Sequence, residues 1–308
     1  METSLQLMAQ IGKMFLMMLM GFAIVRAGLL QTKDSKVLSK ITLYLIMPCM
    51  IIDAFQVDYG PEKLQGLLMA AIGAVAMHVL YIGMSAILGR TIGLDAVERA
   101  SAAYGNGGNL IIPLVSAVFG REWVLYTCAF NTVQVVLLWT HCRMMLSGKR
   151  EFSIGDIVKN VNVIAIAVGV VLFASGLRFP ALIGDTISTV GGMVGPISMI
   201  VTGMLLGGSS LAKVRSYRRV PLICLLRLIA YPSMILLLYR FSPLKTMAEG
   251  GEMILLVSFL AAAAPTASSV TQLAQVYGGD SEYAGVINMV STVLCIITMP
   301  LMVLLYQL

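Results

Sequence analysis

Twelve consecutive residues, Ala102-Ala103-Tyr104-Gly105-Asn106-Gly107-Gly108-Asn109-Leu110-Ile111-Ile112-Pro113, carry three glycines, two asparagines and a proline between apolar flanks. Glycine and asparagine are weak helix formers. Pro113 removes a donor and crowds the carbonyl four residues back, that of Asn109. Non-helical backbone inside an apolar segment survives only where protein or a water-filled cavity satisfies it. The competing interpretation is an interfacial loop, or a proline kink with glycines used for packing. A matching element follows at Ala261-Ala262-Ala263-Ala264-Pro265-Thr266-Ala267-Ser268-Ser269. Pro265 frees the carbonyl of Ala261 and suits the first turn of a restarting helix. Thr266, Ser268 and Ser269 place hydroxyls within a turn of it.

Two helices that restart inside an apolar layer present unpaired N–H groups and a fraction of a positive charge. Such ends attract an anion without a formal cation in lipid. Asn106 and Asn109 can donate to a carboxylate or accept from an acid. The chemistry implied is reversible binding of a carboxylate, with Asn106, Asn109, Pro113, Pro265, Thr266, Ser268, Ser269 and Asn131 as the candidate site. No Ser/His/Asp pattern, nucleotide motif or zinc motif occurs, so neither an enzyme nor an ATP-driven machine is expected, and no cofactor or metal.

The elements that must position these residues follow from composition. Of 308 residues, 58% are hydrophobic and 12% charged, and the mean hydropathy is +0.90. A soluble domain carries about 25% charge, so this chain reads as an all-α polytopic membrane protein. A spanning helix needs about 20 mostly apolar residues. Candidate spans fall at roughly 5–25, 38–56, 64–88, 97–119, 123–146, 160–177, 184–208, 220–239, 252–276 and 283–306. The N-terminal apolar run lacks a basic leader and a small-x-small cleavage site, so it is expected to stay as the first span. The five cysteines show no ligand spacing and read as small core hydrophobes. The net charge of +6 is dispersed over short links, which argues against nucleic acid.

Links after odd-numbered spans hold Arg26, Lys33, Lys36, Lys40, Arg90, Arg99, Arg143, Lys149, Arg150, Lys159, Lys213, Arg215, Arg218 and Arg219. The opposite side holds Lys13, Lys63, Arg121, Arg178, Arg240 and Lys245. That bias puts the odd links in the cytoplasm and both termini outside, in a cell inner membrane. The longest link, 147–159, divides the chain into 1–146 and 160–308. Five spans per half force opposite orientations, the inverted-repeat plan of many secondary transporters. Proline punctuation agrees: Pro48 and Pro196 fall in the second and seventh spans, Pro113 and Pro265 in the fourth and ninth.

Other polar residues each carry two interpretations. Ionisable residues inside membrane segments are functional candidates by default. His78, mid-way along the third span, can carry a coupling proton or be a histidine satisfied inside the bundle. Arg227, in the eighth, can counter a substrate carboxylate or snorkel toward the cytoplasmic face; snorkelling or a structural role is favoured. Asp53 reads as solvated, or else as a gate or proton site. Asn131 and Gln134 share a helix face and line a pathway or join helices. His141 and Arg143 read as interfacial, and Glu98 and Arg99 as the cytoplasmic mouth of the break. The pairs Gly191/Gly195 and Gly203/Gly207 suggest close packing, including a dimer seam.

Residues 106–120 (NGGNLIIPLVSAVFG) resemble the fourth-helix motif of the auxin efflux carrier family, which includes plant PIN-type carriers and bacterial malate or malonate permeases. Ser39–Pro48, Gly191–Gly207, Arg227–Pro232, Pro265–Gly278 and Ser291–Pro300 are similar to its further motifs, in order. The resemblance implies ten helices in two inverted five-helix repeats, with broken fourth and ninth helices crossing near Pro113 and Pro265. It also implies a scaffold of helices 1, 2, 6 and 7, a homodimer in membrane lipid, and elevator-type alternating access. Asn106 matches the family's fourth-helix asparagine and is carried over as a ligand. The ninth helix departs, with Thr and Ser where members often have Asn or Gln. The expected substrate is a small organic anion such as malate or malonate. The alternatives are a sodium-coupled symporter of the bile-acid type and a non-transporting sensor.

Overall fold

A computed structural model describes residues 2–58, 60–148, 155, 158–208 and 216–308. Lys149, Arg150, Lys213, Arg215 and most of the 147–159 link lie outside the described residues, so that part of the charge bias has no structural counterpart. Among the described residues the architecture is helical throughout, with one isolated β-bridge. The helices are α1 (Glu2–Arg26), α2 (Thr32–Ala54), α3 (Pro61–Thr91), α4 (Ala96–Ala103), α5 (Gly107–Val118) and α6 (Glu122–Ser147). They continue as α7 (Val161–Ser175), α8 (Ala181–Gly207), α9 (Val220–Phe241), α10 (Gly251–Ala262), α11 (Ser268–Tyr277) and α12 (Ser281–Gln307). Among the described residues, seven (α1, α2, α3, α6, α8, α9 and α12) include stretches long and apolar enough to cross a membrane. The chain is therefore a multi-pass membrane protein. The fourth expected span is split into α4 and α5, the ninth into α10 and α11.

Local signals set the starts. Pro61 opens α3, where its missing N–H costs nothing. Asp95 caps α4, accepting from the Glu98 amide at 2.8 Å while its own amide donates to Glu98 Oε2 at 3.0 Å. That reciprocal box satisfies two orphan donors. Glu98, read as marking the mouth of the break, is buried. It accepts from Tyr283 Oη on α12 at 2.9 Å and Arg219 Nη1 at 3.1 Å.

Three prolines leave a shared mark that the sequence reading missed. Wide π-type turns at Thr42–Ile46, Gly107–Ile111 and Leu226–Ala230 each end two residues before Pro48, Pro113 and Pro232. Widening the turn moves the carbonyl that the proline ring would strike and re-pairs its neighbours. The third of these turns contains Arg227.

Glycine governs the closest approaches. A Cβ on Gly203 of α8 would overlap the Met18 carbonyl of α1, and one on Gly21 the Ile200 carbonyl. Gly191 faces Met50 of α2, and Gly195 faces Pro113 at 3.0 Å. These glycines pack inside the chain, which corrects their reading as a dimer seam: small residues let helices approach wherever lipid is excluded. Gly203→Ala is expected to lower thermal stability by about 1–3 kcal/mol through overpacking. Gly12→Ala, with nothing within 4 Å of its Cβ, is expected to leave it unchanged or raised, as differential scanning fluorimetry in detergent would show.

Candidate functional site

The two breaks meet. Gly105 and Thr266 form an antiparallel β-bridge. The Asn106 amide donates to the Pro265 carbonyl at 2.8 Å, and the Ala267 amide to the Tyr104 carbonyl at 3.0 Å. Each break thus satisfies backbone groups of the other, since neither has a helical partner. Side chains from the flanking helices complete the accounting. Gln134 Nε2 on α6 donates to the Gly105 carbonyl at 2.8 Å. Asn288 Nδ2 on α12 donates to the Thr266 carbonyl at 2.5 Å, and Ser291 Oγ accepts from the Thr266 amide at 3.1 Å. Asn288 and Ser291 repeat the three-residue spacing of Asn131 and Gln134. Asn288 went unremarked in the sequence, although an asparagine inside an apolar helix was the available signal.

The helices that end at the crossing are α4 and α10, whose last carbonyls lack intrahelical donors and carry negative partial charge. Arg227 answers both. Its Nε donates to Ala264 O at 2.8 Å, Nη1 to Ala102 O and Ala103 O at 3.4 Å, and Nη2 to Ala261 O at 3.4 Å. The guanidinium carbon stands 5.3 Å over the Tyr81 ring, a cation–π contact in a dry setting. Tyr81 itself donates to Ala262 O at 3.2 Å. Arg227 has 0% exposure, so it does not snorkel. Its role is the structural one: two broken helix ends offer more acceptors than the membrane surface would. A Cβ on Gly105 would overlap Nη2, so this glycine is required for the guanidinium to fit.

The helices that begin at the crossing are α5 and α11. Neither start is capped by a side chain, and the two lie next to one another. Asn106, Gly108, Asn109, Ser268 and Ser269 are partly exposed there, whereas Ala102–Gly105 and Ala261–Ala267 are buried. Asn109 Nδ2 donates to Ser268 Oγ at 3.2 Å, which brings the two starts together. Asn131 Oδ1 lies 3.7 Å from the Cβ positions of both Gly107 and Gly108, so its amide faces the start of α5. Thr266 is fully buried and its hydroxyl donates to Ser101 O at 3.0 Å. Pro265 lies in the bridge. Pro113 does not lie at the crossing: it is eight residues past Gly105, buried against Gly195.

Of the remaining candidates, His78 is buried, with Nδ1 2.7 Å from Ala74 O and its ring 5.3 Å from Phe130 and 6.2 Å from Tyr104. His141, partly exposed, shares a 2.8 Å hydrogen bond with Tyr104 Oη. Asp53 is partly exposed near the end of α2. No cluster of three potential metal ligands occurs among the described residues.

Broken helices that meet inside a multi-pass membrane protein, with buried polar groups spent on joining them, are typical of transporters. The chain belongs to the membrane transport protein family, that of the auxin efflux carriers and related permeases; the family's model matches residues 6–157 and again 152–303. No curated protein matches the chain.

Arg227→Met is expected to cost about 3 kcal/mol or more, because four carbonyls lose a charged donor at once. Arg227→Lys should cost less but not nothing, since an ammonium cannot span the same fork. Thermal melting and the yield of monodisperse protein check the order wild type, Lys, Met.

Proposed function

We propose that this chain is a secondary transporter for a small organic anion, a dicarboxylate such as malate or malonate or another weak carboxylic acid, moved across a cell's inner membrane by alternating access. The observation that carries the reading is the asymmetry of charge at the crossing. Both C-terminal helix ends are neutralised by Arg227, while both N-terminal ends are uncapped and face one partly exposed edge. What remains unpaired is therefore positive, as an anion site needs. Asn106 and Ser269 offer further donors at that edge, with Asn109, Ser268 and Asn131 beside them. In this reading Thr266, Pro265 and Arg227 position the backbone and do not touch substrate.

Ten spans in two inverted five-helix repeats fit two observations. The family's model matches the chain twice, and Gln134 and Asn288 make equivalent bonds to the two strands of the bridge. An elevator fits the packing. The helices proposed as scaffold lie on one another, α1 on α8 and α2 on α7 and α8. The crossing is instead gripped by α3, α6, α9 and α12. Outward-facing termini and a homodimer complete the proposal. A sodium-coupled symporter is the second reading, and sodium dependence separates the two.

The test is uptake by proteoliposomes of malate, malonate, other dicarboxylates, indole-3-acetate and amino acids, with and without proton or sodium gradients. Saturable flux of one carboxylate without sodium is expected. Asn106→Ala should lower its kcat/KM about tenfold or more, the loss of a hydrogen bond to a charged group. Flux that survives the substitution places the site elsewhere. Binding without flux identifies a sensor.

A further inference from the structure

We propose that His78 Nε2 is a proton-binding site that locks the helix crossing through Gln134. The argument begins with two orphans. His78 Nε2 and Gln134 Oε1 are both buried with no hydrogen-bond partner, on residues of 1% and 3% exposure. The His78 ring packs on Phe130 at 5.3 Å, and Gln134 stands one turn further along the same face of α6. Their orientations are fixed at the far ends. His78 Nδ1 is 2.7 Å from Ala74 O, which can only accept, so Nδ1 bears hydrogen. Gln134 Nε2 is 2.8 Å from Gly105 O, also only an acceptor, so the amide nitrogen points to the bridge. A neutral imidazole then presents a lone pair at Nε2 to the lone pairs of Oε1. Each unsatisfied buried group costs on the order of 1–3 kcal/mol in general.

One added proton resolves both. With Nε2 protonated, His78 donates to Gln134 Oε1 while Gln134 Nε2 keeps Gly105 O. Without it, the only way for Gln134 to satisfy His78 is to turn its NH₂ group toward Nε2. That turn removes the donor from Gly105 O and sets oxygen against oxygen at the bridge. Protonated His78 therefore favours a closed crossing, and neutral His78 favours release of one of its hydrogen bonds.

The groups that face His78 are Tyr104 from the end of α4, Phe130 and Gln134 from α6, and the Arg227 cation from α9. No carboxylate is among them. A second positive charge beside Arg227 is opposed until a negative charge arrives. A carboxylate at the starts of α5 and α11 supplies it, so proton and anion favour each other's binding reciprocally. This last step rests on the proposed function, whereas the lock does not. The coupled direction is anion and proton moving together.

Hydrogen–deuterium exchange of the full-length protein in nanodiscs tests the lock. Protection of the segment 100–110, which contains the bridging Asn106 amide, is followed from about pH 3 to about pH 8, a range extended below that of a solvated histidine because burial opposes the charged ring, and corrected for intrinsic exchange. The chain has two histidines, so His141→Gln leaves His78 alone. Wild type and His141→Gln should lose about fivefold or more protection as pH rises, the worth of one net hydrogen bond. His78→Gln and Gln134→Leu should show no such dependence. A flat wild-type profile overturns the proposal whatever the variants do. So does a pH dependence that persists in His78→Gln, or in Gln134→Leu should His78→Gln not fold. In proteoliposomes with malonate as probe, an imposed proton gradient should drive accumulation by wild type but only facilitated equilibration by His78→Gln. Absence of flux for every carboxylate, with the exchange result intact, removes the transport reading and leaves the lock standing.

Discussion

Backbone N–H and C=O groups cannot be left unpaired where no water reaches them, and two interrupted helices multiply that demand at one point. Four helix ends converge around Gly105 and Thr266. Everything near the crossing answers the demand. The bridge pairs Asn106 with Pro265 and Ala267 with Tyr104. Gln134, Asn288, Ser291 and Tyr81 take single groups, and Arg227 takes the carbonyls at both helix ends. The breaks account for the presence of these polar side chains in apolar helices.

Satisfying the carbonyl ends with a cation while leaving the amide ends uncapped makes the crossing directional in charge. A buried arginine without a carboxylate partner would ordinarily be prohibitive. Here the partial negative charge of two helix termini substitutes for the carboxylate, and the Tyr81 ring adds its face.

Rigidity around the crossing comes from elements that look unrelated to it. Asp95 and Glu98 cap the start of α4, and Glu98 is clamped by Arg219 and Tyr283. Tyr283 in turn stacks on Tyr217, with centroids 4.6 Å apart. The start of α4, the start of α12 and the approach to α9 are thus tied together, and all three helices reach the bridge. On the other side, glycine contacts between α1 and α8 are tight enough to exclude a methyl group. The helix group meets the broken fourth segment too, where Gly195 faces Pro113 and Gly108 faces Met47.

Much of this was legible in the chain because it depends on local chemistry. Hydropathy marks each helical segment to within a few residues, since apolar length alone decides what can cross lipid. Gly, Asn and Pro between Tyr104 and Pro113, and Pro265 after four alanines, mark the breaks because those residues cannot sustain a helix. What sequence could not decide was which distant groups meet. Arg227 reads as a surface-seeking cation until the ends of α4 and α10 are placed beside it. Thr266 reads as a ligand until Ser101, Asn288 and Ser291 enclose it, and Gly203 reads as a dimer seam until α1 fills the space. His78 and Gln134, 56 positions apart by their numbers, become a pair only through the contact of α3 with α6. Hydrogen-bond satisfaction at depth is a property of three-dimensional neighbours, and those are decided by packing, not by order along the chain.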